Sequence, residues 1–191
     1  MTRNRLEAFS DGVVAILITI MVLEFKVPQG ADWEALVPLV PVFMSYILSF
    51  VILGIYWNNH HHMLHTAERI NGKILWANLH LLFWLSLFPF ETGWMGRTHA
   101  APLPTATYGA VMLMAAVAYL ILQQTIVSHQ GPDSRLREAI GGYLKGKTSI
   151  ALYGLSIPLA FIHPWLAIGI YILVALIWLV PDRRIEAKMG G

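Results

Sequence analysis

The sequence predicts an all-α membrane protein, a single domain of six transmembrane helices. The chain has 191 residues, of which 57% are hydrophobic and only 13% are charged. Water-soluble domains average about 45–50% apolar and about 25% charged residues, so this composition is typical of a membrane protein. The apolar residues also fall into six segments, which prolines, glycines and charges separate.

The six predicted spans are joined by turns. Pro28-Gln29-Gly30 ends the first span, Asn71-Gly72 separates the second from the third, and His163-Pro164 predicts a tight corner between the fifth and sixth. The long polar connection before the fifth span is expected to hold a short interfacial helix at residues 134–140. The spans cover residues 4–27, 35–64, 74–90, 105–128, 148–162 and 165–180.

The basic residues predict the orientation of the chain. An excess of Lys and Arg marks the cytoplasmic side of a membrane protein. Only Lys26 and Arg97 fall on one side of the predicted spans. We therefore expect both termini to be cytoplasmic. The other side carries the remaining basic residues: Arg3, Arg5, Arg69, Lys73, Arg135, Arg137, Lys145, Lys147, Arg183, Arg184 and Lys188.

The first span carries an acidic residue near each end. Asp11 and Glu24 bracket 12 uncharged residues, whereas a lone helix in lipid needs about 20 apolar residues. This helix is therefore expected to be sheltered by protein or to line water. A carboxylate within a membrane is costly and is usually paired or functional. We expect Asp11 to pair with His60 or Asn78, or to be solvated at the cytoplasmic interface.

One face of the first helix is free of charge. At 100° per residue, Ile16, Ile20 and Leu23 share this face, and Thr19 lies at its edge. Asp11 lies about 140° away from Ile16 around the helix. Periodicity alone allows two interpretations, ordinary helix packing or the wall of a pore.

The run from His60 to His65 contains four histidines. His61 and His65 have the i, i+4 spacing of paired metal ligands. The chain has no cysteine, however, and the run lacks the His-Glu-x-x-His pattern with a built-in base. A metal site in a membrane enzyme is one alternative, and interfacial or hydrogen-bonded histidines are the other.

Other motif classes are absent from the sequence. It contains no Gly-rich phosphate loop and no Thr-Val-Gly-Tyr-Gly filter of the usual potassium channels. The basic residues lie at span ends rather than in a patch, which argues against nucleic acid as a partner. The first apolar run lacks a small-residue cleavage site after it, so we expect it to be retained.

Three short motifs resemble the bacterial branch of the endosomal/lysosomal potassium channel family. The first is Arg5-x-x-x-Phe9-Ser10-Asp11 in the first span. The second is Trp57-x-x-His60 at the end of the second span. The third is Asn78-Leu79, followed by Pro89-Phe90, in the third span.

The resemblance implies a potassium-selective channel rather than an enzyme. It implies a homotetramer in the bacterial plasma membrane, with the first helices around the axis and no re-entrant pore loop. Potassium ions, lipid and other copies of the chain are then the partners, and no cofactor or resident metal is required. By position, the pore-lining residues are Ile16, Thr19, Ile20 and Leu23. The residues that anchor the pore helix are Arg5, Phe9, Ser10, Asp11, Trp57, His60 and Asn78.

In this channel interpretation, Glu24 lies near the outer end of the pore, where its charge is expected to concentrate cations. Two alternatives stay open at this point. One is a metal-dependent membrane enzyme built on the histidine run. The other is a small transporter that uses Asp11 as a proton site.

Overall fold

The computed structural model describes residues 2–67, 69–130 and 144–179, which fold into helices joined by short connections. The first helix, α1, is followed directly by a 3₁₀ turn at Met21–Glu24, and a 3₁₀ segment at Glu34–Leu39 leads into the second. The helices are α1 (Arg3–Ile20), α2 (Val40–His65), α3 (Gly72–Leu85), α4 (Phe88–Arg97), α5 (Pro102–Gln130), α6 (Leu144–Ile162) and α7 (Pro164–Leu179).

These helices confirm an all-helical, multi-pass membrane protein. Within the described residues, four stretches are long and apolar enough to cross a membrane, and α7 is a shorter apolar helix. The four stretches are Arg3–Glu24, Glu34–His65, Gly72–Arg97 and Pro102–Gln130.

The third predicted span extends further than the sequence indicated. It was expected to end at residue 90, but helix continues to Arg97 after a break between α3 and α4. Pro89 lies in the first turn of α4, where its missing N–H has no partner to lose. The break therefore produces two helices with separate surfaces, and both contact α1.

Some expectations concern residues outside the described part of the chain. These are the interfacial helix at 134–140, the last residue of the sixth span at position 180, and five of the basic residues that predicted the topology. The five are Arg135, Arg137, Arg183, Arg184 and Lys188.

The buried side of α1 is a stripe with helical spacing that packs on α2, α3 and α4. It consists of Leu6, Ser10, Val14 and Leu17, and Met21 extends it into the 3₁₀ turn. Because these residues recur every three or four positions, they share one side of α1, and the opposite side is exposed.

Helix α5 is the centre of the remaining bundle and contacts α3, α4, α6 and α7. Hydroxyl groups join its neighbours in the core. The Ser49 hydroxyl lies 2.6 Å from that of Thr92 and 2.8 Å from that of Tyr108. Water cannot satisfy polar groups at this depth in a membrane, so such internal pairs are required.

The contact between α2 and α4 depends on a glycine. An added Cβ at Gly96 would lie 2.7 Å from the Cα of Val42. That atom belongs to the backbone of α2, so the collision cannot be relieved by turning a side chain. Gly96 therefore allows α4 to approach α2 closely.

We predict that Gly96→Ala lowers the free energy of unfolding by about 1–3 kcal/mol because of this overpacking. The matched control is Gly154→Ala in α6, where an added Cβ meets no atom within 4 Å. Alanine favours a helix over glycine by about 1 kcal/mol, so the control should be neutral or stabilising. Thermal unfolding of the purified protein in detergent measures the difference, and equal midpoints for the two variants would contradict this packing.

Candidate functional site

The uncharged face predicted for α1 is exposed in the protomer. Ile16 is 62% exposed and Leu23 is 75% exposed, and Thr19 and Ile20 between them are exposed too. The structure thus places all four predicted pore-lining residues on one exposed surface of α1. In a membrane such a surface meets lipid, another copy of the chain or water.

Thr19 is the hydroxyl-bearing residue of this face. Its hydroxyl lies 3.0 Å from the carbonyl oxygen of Ala15 and 3.0 Å from that of Ile16, to which it donates its proton. A hydroxyl has one proton and two lone pairs. Since the helix takes the proton, the lone pairs of Oγ1 remain available to contact a cation.

A buried polar bridge joins α1, α2 and α3. The Asn78 amide donates from Nδ2 to the Ser10 hydroxyl at 3.0 Å, and its Oδ1 accepts from Nε2 of His60 at 2.7 Å. Ser10 donates in turn to the carbonyl oxygen of Leu6 at 2.9 Å. All three side chains are buried. Each member therefore has a partner, as a polar group within a membrane requires.

Asp11 lies at the edge of this bridge. Its Oδ1 accepts a hydrogen bond of 2.9 Å from the indole N–H of Trp57 on α2. The expectation that Asp11 pairs with His60 or Asn78 is therefore not met, because Ser10 takes that place. Successive residues on a helix are 100° apart, so Ser10 faces the interior while Asp11 is half-buried beside it.

Two further links at the same end of α1 were not anticipated. Glu7 contacts Nδ1 of His61 at 2.6 Å through its Oε1, and Nη1 of Arg3 donates to the carbonyl oxygen of His65 at 3.1 Å. Arg3, Glu7 and Ser10 follow one another at i, i+4 and i+7. This spacing places Arg3 and Glu7 on the same side of α1 as Ser10 in the buried stripe, and it is the sequence pattern from which the two links could have been predicted.

Arg5 and Phe9 are not part of this network in the protomer. Both are exposed, and Arg5 has no hydrogen bond or ion pair with any residue that the structure describes. The spacing of Arg5, Phe9 and Ile16 places them on the same side of α1. Two of the residues predicted to anchor the helix therefore continue the exposed face instead.

The other end of α1 is tied to α4. Nη2 of Arg97 lies 2.6 Å from Oε2 of Glu24, the last residue of the 3₁₀ turn. Glu24 was expected to concentrate cations near the outer end of the pore. Its partner Arg97 was not anticipated, and the opposite charge of Arg97 reduces the net charge at this place.

The histidine run shows no metal site. Within the described residues, no three His, Cys, Asp or Glu side chains are placed to hold a metal ion. His60 is hydrogen-bonded to Asn78, and His61 contacts the carboxylate of Glu7. The run instead supplies contacts between α2 and the first turns of α1.

We predict that Asn78→Ala destabilises the protein by about 1–3 kcal/mol, because His60 and Ser10 lose a buried partner. Asn59→Ala is the matched control, since the Asn59 amide donates only to the carbonyl oxygen of Ile55 in its own helix. The thermal unfolding midpoints of the two variants in detergent test this. A midpoint for Asn78→Ala no lower than that of the control would show that the bridge contributes little.

Comparison with known proteins indicates the family of the chain. Residues 5–89 match the sequence profile of the family described as endosomal/lysosomal potassium channel TMEM175. That range contains α1 except its first two residues, α2, α3 and the whole Ser10–Asn78–His60 bridge.

The chain is also similar to individual channels. It is 57% identical over 189 residues to a potassium channel of Chryseobacterium sp. (strain P1-3), which covers 99% of this chain and 98% of that one. A potassium channel of Chamaesiphon minutus is 29% identical over 189 residues, with 91% of each chain covered.

A solved structure has a similar fold. The crystal structure of a lysosomal potassium-selective channel TMEM175 homolog from Chamaesiphon minutus matches with a TM-score of 0.81 and 29% identity, over 93% of this chain and 96% of that one. The family and these relatives are channels and not enzymes. The chain belongs to the TMEM175 family of endosomal/lysosomal potassium channels.

Proposed function

We propose that this protein is a passive, potassium-selective cation channel, a homotetramer with the α1 helices around its axis. The protomer has six spans in the bacterial plasma membrane and cytoplasmic termini. The observation that carries the proposal is the division of α1 into a buried, hydrogen-bonded side and an exposed face of Ile16, Thr19, Ile20 and Leu23. The potassium channels among the relatives support the choice of ion.

The anchored side of α1 determines which side is left for the pore. Ser10 and Asp11 bind α2 and α3 through Asn78 and Trp57. These bonds oppose rotation of α1 about its own axis, because rotation would separate the buried Ser10 and Asn78 and would also break the exposed bond between Asp11 and Trp57. The exposed face is therefore presented in a defined orientation to the neighbouring copies.

Ile16 forms the narrowest ring in this proposal. A ring of methyl groups closes a pore by excluding water, since an ion cannot exchange its hydration shell for hydrocarbon. Conduction then requires the ring to widen by tilt or rotation of α1. Potassium is the permeant ion, and no ATP-driven step takes part.

Thr19 lies one helical turn further along the same face. Its Oγ1 lone pairs supply oxygen contacts to a partly dehydrated potassium ion, while the proton stays with the carbonyl groups of the helix. Four such hydroxyls around the axis contribute to discrimination between cations, with Ile20 and Leu23 forming the apolar wall beyond them.

We predict that Ile16→Asn raises passive potassium flux from liposomes, because an amide ring holds water where methyl groups exclude it. Thr19→Ala is expected to lower the preference for potassium over sodium, since it removes the oxygen contact. Ile172→Asn in α7 is the matched control, because Ile172 is also exposed but lies on another helix.

Flux and selectivity that stay at wild-type values in both α1 variants would contradict the assignment of this face to the pore. The same holds if Ile172→Asn raises the flux as much as Ile16→Asn does. A particle mass inconsistent with four copies would contradict the tetramer but not the pore face.

A further inference from the structure

The outer end of α1, on the side away from the predicted cytoplasmic termini, contacts α4 at successive positions. Met21 is fully buried, and the Thr92 hydroxyl of α4 lies 3.7 Å from its sulfur. One turn further out, the Glu24 carboxylate meets Arg97 with a 2.6 Å ion pair. The 3₁₀ turn that carries Met21 and Glu24 is thus held along one side of α4.

Gly93 lies beside the Glu24 carboxylate in this contact. An added Cβ at Gly93 would collide with the Glu24 carboxylate and would lie 2.7 Å from its Cδ and 3.1 Å from its Cγ. The missing side chain therefore leaves the space in which the carboxylate lies against α4. Gly93 and Arg97 are one helical turn apart, so the space at Gly93 and the guanidinium group of Arg97 lie on the same side of α4.

The direction of this contact matters for a pore. The residues of α1 that face α4 belong to the buried stripe, and Ile20 and Leu23 are exposed on other sides of the helix. A bond between Glu24 and Arg97 therefore pulls the outer end of α1 towards the body of its own protomer. In the proposed tetramer that direction is away from the axis.

We propose that Glu24, Gly93 and Arg97 form an outer latch, a set of positioning residues that hold the outer end of the pore helix against α4 and away from the axis. This inference rests on the proposed channel function. When the latch is broken, the 3₁₀ turn relaxes towards the axis and the outer part of the pore narrows.

The latch also compensates a charge at the pore mouth. Arg97→Gln leaves a free carboxylate in each copy, which attracts cations, while Glu24→Gln leaves a free guanidinium, which repels them. These electrostatic effects extend over about 30 Å at 0.01 M salt but only about 3 Å at 1 M. Flux at high salt therefore depends on the position of the outer end of α1. Flux at low salt depends in addition on the charge that each variant leaves at the pore mouth.

The test is potassium flux from liposomes with the full-length protein in about 1 M salt, where long-range charge effects are screened. Gly93→Ala, Arg97→Gln and Glu24→Gln are each expected to lower the flux about threefold, the scale of losing one partly exposed ion pair. The double variant Glu24→Gln/Arg97→Gln should lower it no further, because both changes break the same contact. Gly154→Ala is the control and should keep wild-type flux, since its added Cβ meets nothing.

A second readout separates positioning from general stability. At about 0.01 M salt, Arg97→Gln should conduct more than Glu24→Gln, because the charge left at the mouth has opposite sign in the two variants. A pair that lies away from the pore mouth would lower both equally, as expected of a contact that only stabilises the fold. If Gly93→Ala does not fold, the two charge variants still decide the outcome.

Wild-type flux in all three latch variants at high salt, in a protein that still responds to Ile16→Asn, would overturn the latch and leave the channel function intact. A further loss in the double variant would also overturn it, because the two residues would then act separately. A wild-type protein that passes no potassium would overturn the proposed function first and the latch with it.

Discussion

The buried bridge of Ser10, Asn78 and His60 is the interaction on which the rest of the structure depends. It joins three helices through side chains that have no access to water, so each must find its partner within the protein. A small rotation of α1 would leave Ser10 and Asn78 unpaired at a cost of about 1–3 kcal/mol each. The bridge therefore sets the rotation of α1, and with it the identity of the exposed face.

The third predicted span contacts α1 near both of its ends because the span is broken into two helices, α3 and α4. Asn78 on α3 holds the N-terminal half of α1, and Gly93 and Arg97 on α4 meet Glu24 in the 3₁₀ turn that follows α1. Between these contacts, the side chains of Ile16 and Thr19 are exposed. In the proposed channel, a helix that is held near its two ends and exposed along one face between them is suited to widening by a change of tilt.

Helical periodicity predicted the helices and located the uncharged face of α1, because both follow from a period of 3.6 residues, but it left packing and a pore open, and only the family resemblance favoured the pore. Sequence reasoning placed His60 and Asn78 correctly near α1 but chose Asp11 as their partner. Ser10 and Asp11 are adjacent in sequence and differ by 100° around the helix. Asp11 was chosen because a carboxylate within a membrane is costly and is expected to have a partner, whereas a serine gives no such indication. The Glu24–Arg97 pair was missed because the carboxylate lies in the space beside Gly93. Glu24 is far from Gly93 and Arg97 in the sequence, so the local sequence pattern around Glu24 does not indicate this contact.

The proposed pore requires that the exposed face of α1 lines a water-filled path. The chain has no cysteine, so a single introduced cysteine reports on one position. The most direct measurement is potassium flux after treatment with a water-soluble thiol reagent. We expect the reagent to block Thr19→Cys and Leu23→Cys but not Ile172→Cys on the exposed side of α7. Flux that the reagent leaves unchanged at both α1 positions, or blocks equally at Ile172→Cys, would contradict the pore assignment.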